Sequence, residues 1–140
     1  MFYVTTSKGA GKAAIELCGS LASVLPRAVF ERRGGKPIES VVSRARRLGK
    51  VRVLIVGAGS LQAIAVSATG WDWLGDGMKI KGAKCNPAPA EPPESISASG
   101  KLAEIFGMDG AGDVVARLSK GVLAFTCGRR KAGPEIMLVD

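Results

Sequence analysis

The residues best suited to chemistry lie in "TTSKGAGKAA", Thr5 to Ala14, directly behind the apolar start "MFYV". A phosphate-binding loop of the form G-x-x-x-x-G-K-[ST] holds a nucleotide with backbone amides and a lysine, and magnesium with its hydroxyl. Gly11 and Lys12 fit that form, but Thr6 stands at the first glycine position and Ala13 at the hydroxyl position. The segment reads instead as a strand-to-helix turn. Its hydroxyls and lysines suit backbone phosphates held at a helix N-terminus, and Ser7 is placed to cap the turn before the helix.

A second glycine pattern, "VRVLIVGAGSLQA", offers Gly57 and Gly59 but has Gln62 at the third glycine position. The residues after it read as strand, whereas a dinucleotide site needs a helix N-terminus there. A tight turn between two strands accounts for the glycines, and no cofactor is expected. The chain has no histidine, which excludes Ser-His-Asp and Cys-His catalysis and removes the commonest zinc ligand. Cys18, Cys85 and Cys127 form no C-x-x-C pair and suit reduced thiols in a cytoplasmic protein. Asp72, Asp76, Asp109 and Asp113 lie in or near glycine-rich loops and suit turn hydrogen bonds rather than acid–base work.

Charge separates the parts of the chain more sharply. The net charge is +8, and residues 1–50 hold ten Lys and Arg against three Glu, leaving +1 for the remaining ninety. A polyanion is the natural partner of such a footprint. The candidate RNA contacts are Thr6, Ser7, Lys8 and Lys12 in the first turn, Arg32, Arg33 and Lys36 in "ERRGGKP", and Arg44 and Arg47 in "RARR". Arg129 and Arg130 in "GRRKAG" join them, with Lys79, Lys81 and Lys84 in "MKIKGAK" as further cations. Arginine forks suit phosphates. Trp71 and Trp73, the only tryptophans, would point the same way on an extended chain; the rim of a core explains them better than base stacking.

The elements that must position these residues follow from periodicity. "MFYVTT" reads as a strand and Ala13 to Leu25 as a helix stopped by Pro26, with "RAVFE" a second strand. Ile38 to Leu48 forms a second helix, entered through Pro37 and ended by Gly49. "VRVLIVG" is a β-branched run suited to a sheet covered on both sides. "LQAIAVSA" and a short "GMKIKG" follow as strands. "NPAPAEPPES" is an exposed linker, then Ser97 to Phe106 a short helix and "GMDGAGD" a loop. "VVARLSKG" is ambiguous, "GVLAFTCG" a strand, "RRKAGP" a turn and "EIMLVD" a last strand. At 140 residues this is one domain, with helices packed on a mixed sheet, α/β or α+β. No apolar run reaches the ~18 residues that span a bilayer, and no signal peptide is expected.

The order "VTTSK", helix, "LP", "ERRGGKPIESVVSRARRLG", "VRVLIVG", and later "MKIKGAK" resembles the archaeal Brix-domain proteins of ribosome biogenesis over about residues 3–84. Thr5, Thr6, Ser7 and Lys8 match that family's first motif, and Arg33, Gly34 and Lys36 its second. "GAGK" stands where the family carries more arginine, and the second half is short. The resemblance implies a fold similar to the anticodon-binding domain of class II aminoacyl-tRNA synthetases, in two related halves. These are an N-terminal half of about 1–84, a linker of about 86–95 and a C-terminal half of about 96–140. It also implies a non-catalytic role in pre-rRNA processing and ribosomal subunit assembly, with rRNA and assembly proteins as partners and no membrane. Two other readings stand beside it: a small nucleotide-binding enzyme using Lys12 and the Gly57–Gly59 turn, and a protein-interaction adaptor docking through the prolines or a sheet edge.

Overall fold

The computed structural model describes residues 1–106 and 112–139. Three parallel strands begin the sheet: β1 (Phe2–Thr6) lies between β2 (Val29–Phe30) and β3 (Arg52–Val56). The chain moves one way along the sheet through α1 (Lys12–Val24) and back the other way through α2 (Ile38–Arg47). Right-handed crossovers then require the two helices to lie on opposite faces. Two separate cores show that they do. α1 buries Leu17, Cys18, Leu21 and Val24 with Phe2, Val4, Leu54 and Val56, while α2 buries Val41, Val42 and Ala45 with Tyr3, Val53 and Ile55. The alternation along β1 and β3 therefore places apolar side chains on both faces, as a continuous β-branched run demands.

From β3 the sheet turns antiparallel through β4 (Ser60–Val66) and β6 (Met78–Cys85), with β5 (Trp71–Trp73) paired to β4 on the side. The second half repeats this plan. β7 (Ile96–Ser97) lies parallel to β8 (Val114–Ser119) with α3 (Lys101–Phe106) between them in sequence. β9 (Val122–Cys127) and β10 (Arg130–Leu138) then follow antiparallel. Beyond β2 at one end, the order β1-β3-β4-β6-β10-β9-β8-β7 has a parallel pair at each end and antiparallel pairs between, with β6 against β10 as the seam. The α1 core runs through both halves, and Phe106 of α3 lies 6.3 Å from the Phe2 ring and 5.5 Å from the Phe125 ring.

Several elements differ from the sequence reading, each for a local reason. The third helix starts at Lys101, not Ser97, because Ile96 is buried in β7 and Gly100 at φ +60° breaks the chain before the helix. "RRKAGP" is strand rather than turn: β10 already begins at Arg130, and the reversal is confined to Gly128 and Arg129. Pro134, which has no N–H to give, is accommodated where the β9–β10 register shifts between Lys131 and Glu135. Gly133 sits in the same irregular stretch at φ +65°, and α1 crosses it so closely that a Cβ there would collide with Val24. "GMKIKG" extends to an eight-residue strand, "RAVFE" shortens to two, and "VVARLSKG" is β8.

The proline segment is coil, pinned at both ends. Asn86 N–H donates to Gly133 O (2.7 Å) and Gly133 N–H to Pro87 O (3.2 Å). At the far end Glu94 N–H donates to an Asp113 carboxylate oxygen at 3.0 Å, a turn-type role for that aspartate. Asp109, with most of "GMDGAGD", lies outside the described residues. Trp71 packs against the α2 core while Trp73 is 47% exposed. No described helix is long and apolar enough to cross a membrane.

Candidate nucleic-acid interface

Three parallel strands side by side bring their carboxyl ends together, and with them the loops that leave those ends. The 7–11 turn follows β1, the 31–37 turn follows β2, and the 57–59 turn follows β3. Ser7 N–H donates to Val56 O at 3.0 Å, continuing the β1–β3 ladder past the last strand residue. Lys79 joins the same edge because it pairs with Ser60, the first residue of β4. Open parallel sheets bind ligands at this edge, where connections leave neighbouring strands in opposite directions.

The edge is strongly positive. Lys8, Lys12, Arg32, Lys36 and Lys79 are exposed there, and Arg33 is half-buried with its Nε donating to Lys36 O at 3.0 Å. Among the described residues the only ion pair in this set is Lys12 with Glu16, at 4.0 Å between largely exposed side chains. Such a pair is too solvated to cancel the charge. α1 and α2 both start at this edge, from Gly11 and Pro37, and neither has a side-chain cap. Ser7 thus does not cap α1; it supplies its carbonyl to Ala10 N–H at 3.3 Å. The first-turn amides of α1 add partial positive charge to that of the side chains, while those of α2 share their turn with the Glu39 carboxylate.

Two predicted contacts are not presented here. Thr6 is 5% exposed, its side chain held inside the sheet because every residue of β1 is covered on both faces. Arg44 is committed to a carboxylate: its Nε donates to Glu31 Oε1 at 3.0 Å and its Nη2 to Oε2 at 2.9 Å. Tyr3 adds its hydroxyl to Oε1 at 2.7 Å. The Arg44 guanidinium, then the Tyr3 hydroxyl, hold the Glu31 carboxyl down at about 2. Burial and the neighbouring Glu31 push the Tyr3 phenol up. Arg47 is exposed in the last turn of α2, where it lines a shallow hollow together with Lys36, Glu39 and Arg44; Arg129 and Arg130 are exposed at the β9–β10 turn of the other half, apart from the edge.

The Gly57 turn has a packing explanation. A Cβ on Gly57 would stand 2.9 Å from Ser60 Oγ and 3.0 Å from Ser7 Oγ. The nearby hollow, between the start of α1 and β6, is lined by Ala13, Glu16, Gly57, Ala58 and Lys81 and holds about 190 Å³. That is smaller than the roughly 300–1,000 Å³ usual for small-molecule sites. The sequence reading passed over Glu31 and Tyr3. Glu31 is a lone carboxylate beside two arginines, and that isolation was the available signal.

Neither known family models nor curated proteins match this sequence. Solved structures do match the fold. A "probable ribosomal biogenesis protein" from Aeropyrum pernix K1 superposes with a TM-score of 0.79 at 23% identity, over 98% of this chain and 94% of that one. Mil, an archaeal Imp4-like protein, superposes with a TM-score of 0.67 at 13% identity, over 100% of this chain and 97% of that one. The chain shares the fold of these two proteins. Both superpositions run over nearly the full length of this chain, the short second half included, so the likeness expected from the N-terminal motifs extends, as a likeness of fold, beyond residues 3–84.

Proposed function

We propose that this chain is a non-catalytic ribosome-biogenesis factor that acts in the cytoplasm. In this reading it binds rRNA by its phosphates at the carboxyl edge of β2, β1 and β3, with assembly proteins as further partners. One observation carries the reading. Lys8, Lys12, Arg32, Lys36 and Lys79, drawn from separate segments, converge on one edge with two helix N-termini. A solvated surface has no need to collect its cations at one edge of the sheet. The names of the two structural relatives fit the same role.

Titration of the protein into a fluorescent single-stranded rRNA fragment at several salt concentrations tests this directly. Affinity should fall with salt with a log–log slope of about −0.7 for each phosphate neutralised. Replacing Arg32, Arg33 and Lys36 by alanine should flatten that slope by roughly two to three such steps. Excess ATP should leave binding unchanged. Binding that is absent at low salt, or indifferent to these substitutions, would refute the reading; competition by ATP abolished by Lys12→Ala would favour a nucleotide site.

A further inference from the structure

The 31–37 turn carries three of the proposed phosphate contacts, yet it has little structure of its own. Inside it, Lys36 N–H donates to Arg33 O at 3.3 Å and Arg33 Nε to Lys36 O at 3.0 Å, around Gly34 at φ +59°. The firm attachments all meet at Glu31. Its N–H donates to Val4 O at 3.1 Å, its carbonyl accepts from Thr5 Oγ1 at 2.7 Å, and its carboxylate takes both the Arg44 fork and the Tyr3 hydroxyl. Arg44 reaches this carboxylate from two turns inside α2, the helix at the other end of the turn. The fork thus closes a ring: strand end, turn, helix, and back across to the strand end.

We propose that Tyr3, Glu31 and Arg44 are positioning residues, a clamp that holds the turn so that Arg32, Arg33 and Lys36 are preorganised for phosphate. The inference rests on the RNA-binding reading above and departs from simple charge counting in one respect. Glu31 is an anion beside a surface that binds anions, so on Coulombic grounds alone its removal should tighten RNA binding. A clamp predicts the opposite sign, because binding must then order a loosened turn. It also separates arginine from lysine at position 44. A lysine keeps the charge and could still serve a phosphate as a point charge, but it cannot make the two-pronged contact with Glu31.

The experiment compares wild type, Glu31→Gln, Arg44→Lys and Tyr3→Phe in two ways. The first is affinity for the fluorescent rRNA fragment; the second is hydrogen exchange in the free protein of the turn's hydrogen-bonded amides, Glu31 and Lys36. The clamp predicts binding about fivefold weaker in Glu31→Gln and in Arg44→Lys, the cost of ordering one or two side chains, with a smaller loss in Tyr3→Phe. It predicts faster exchange in the turn in all three, while β1, β3 and β4 keep their protection. Equal or tighter RNA binding by Glu31→Gln, or unchanged exchange in the turn, would overturn it. Should wild type bind no RNA, the RNA reading fails alone, and exchange still decides whether the clamp exists. A variant that loses protection throughout is set aside, and Tyr3→Phe, which removes only a hydroxyl, carries the decision.

Discussion

Glu31 shows how one side chain can govern the chemistry around it. Its carboxyl is held at about 2, against an ordinary value of 4.5, by the Arg44 and Tyr3 hydrogen bonds. A folded-state value below the unfolded one means that this contribution to stability is complete above about pH 4.5 and is lost as pH falls toward 2. Urea midpoints measured from pH 6 down to pH 2 should therefore fall less steeply for Glu31→Gln than for wild type. Cys18 follows from burial alone. Its thiol is fully buried, donates weakly to Thr5 O at 3.4 Å and is pushed up to about 12. In a native-state labelling time course near pH 8, the exposed Cys85 should react promptly, and Cys18 only at the rate of unfolding. Prompt labelling of Cys18 would show the α1 face to be open.

At the scale of elements, the contact between α1 and β10 is the most demanding. Gly133 adopts a left-handed φ and lies against Val24 and Ser20 O, the latter 3.2 Å from where a Cβ would stand. Gly133→Ala meets both backbone strain and overpacking, so a loss of about 2–4 kcal/mol is expected in denaturant unfolding. Gly34→Ala, with the same kind of φ but open space around it, should lose only about 1–2 kcal/mol. Here the limits of the sequence show clearly. α1, α2 and β3 were legible because their apolar spacing declares a period and a face. The second part of β10, in "EIMLVD", is legible as strand, but its start is not, because "RRKAGP" has turn composition, and what makes it strand is pairing with β6 and β9, which no local pattern contains. The site was half legible for the same reason. That Lys8, Arg32 and Lys36 lie together follows from parallel strands, whereas the cancelling of Arg44 by Glu31 depends on a contact across thirteen residues.

For the whole molecule, Phe106 is the test of whether the halves act as one. It lies against Phe2 of the first half and Phe125 of the second. Phe106→Ala should cost about 3–5 kcal/mol and leave a single transition by fluorescence and by circular dichroism. Two separated transitions would mean that the halves unfold independently.

The seam between β6 and β10 has a consequence for how the protein is made. α1 lies early in the chain, yet part of the surface that buries it belongs to β10, which follows every other strand in sequence. While the chain is being synthesised, β6 offers an unpaired edge and α1 an incompletely covered apolar stripe until residues 130–138 emerge. The first half therefore waits on the last strand, and its vulnerable interval is set by the time the ribosome takes to translate residues 86–129, which separate β6 from β10, and then β10 itself.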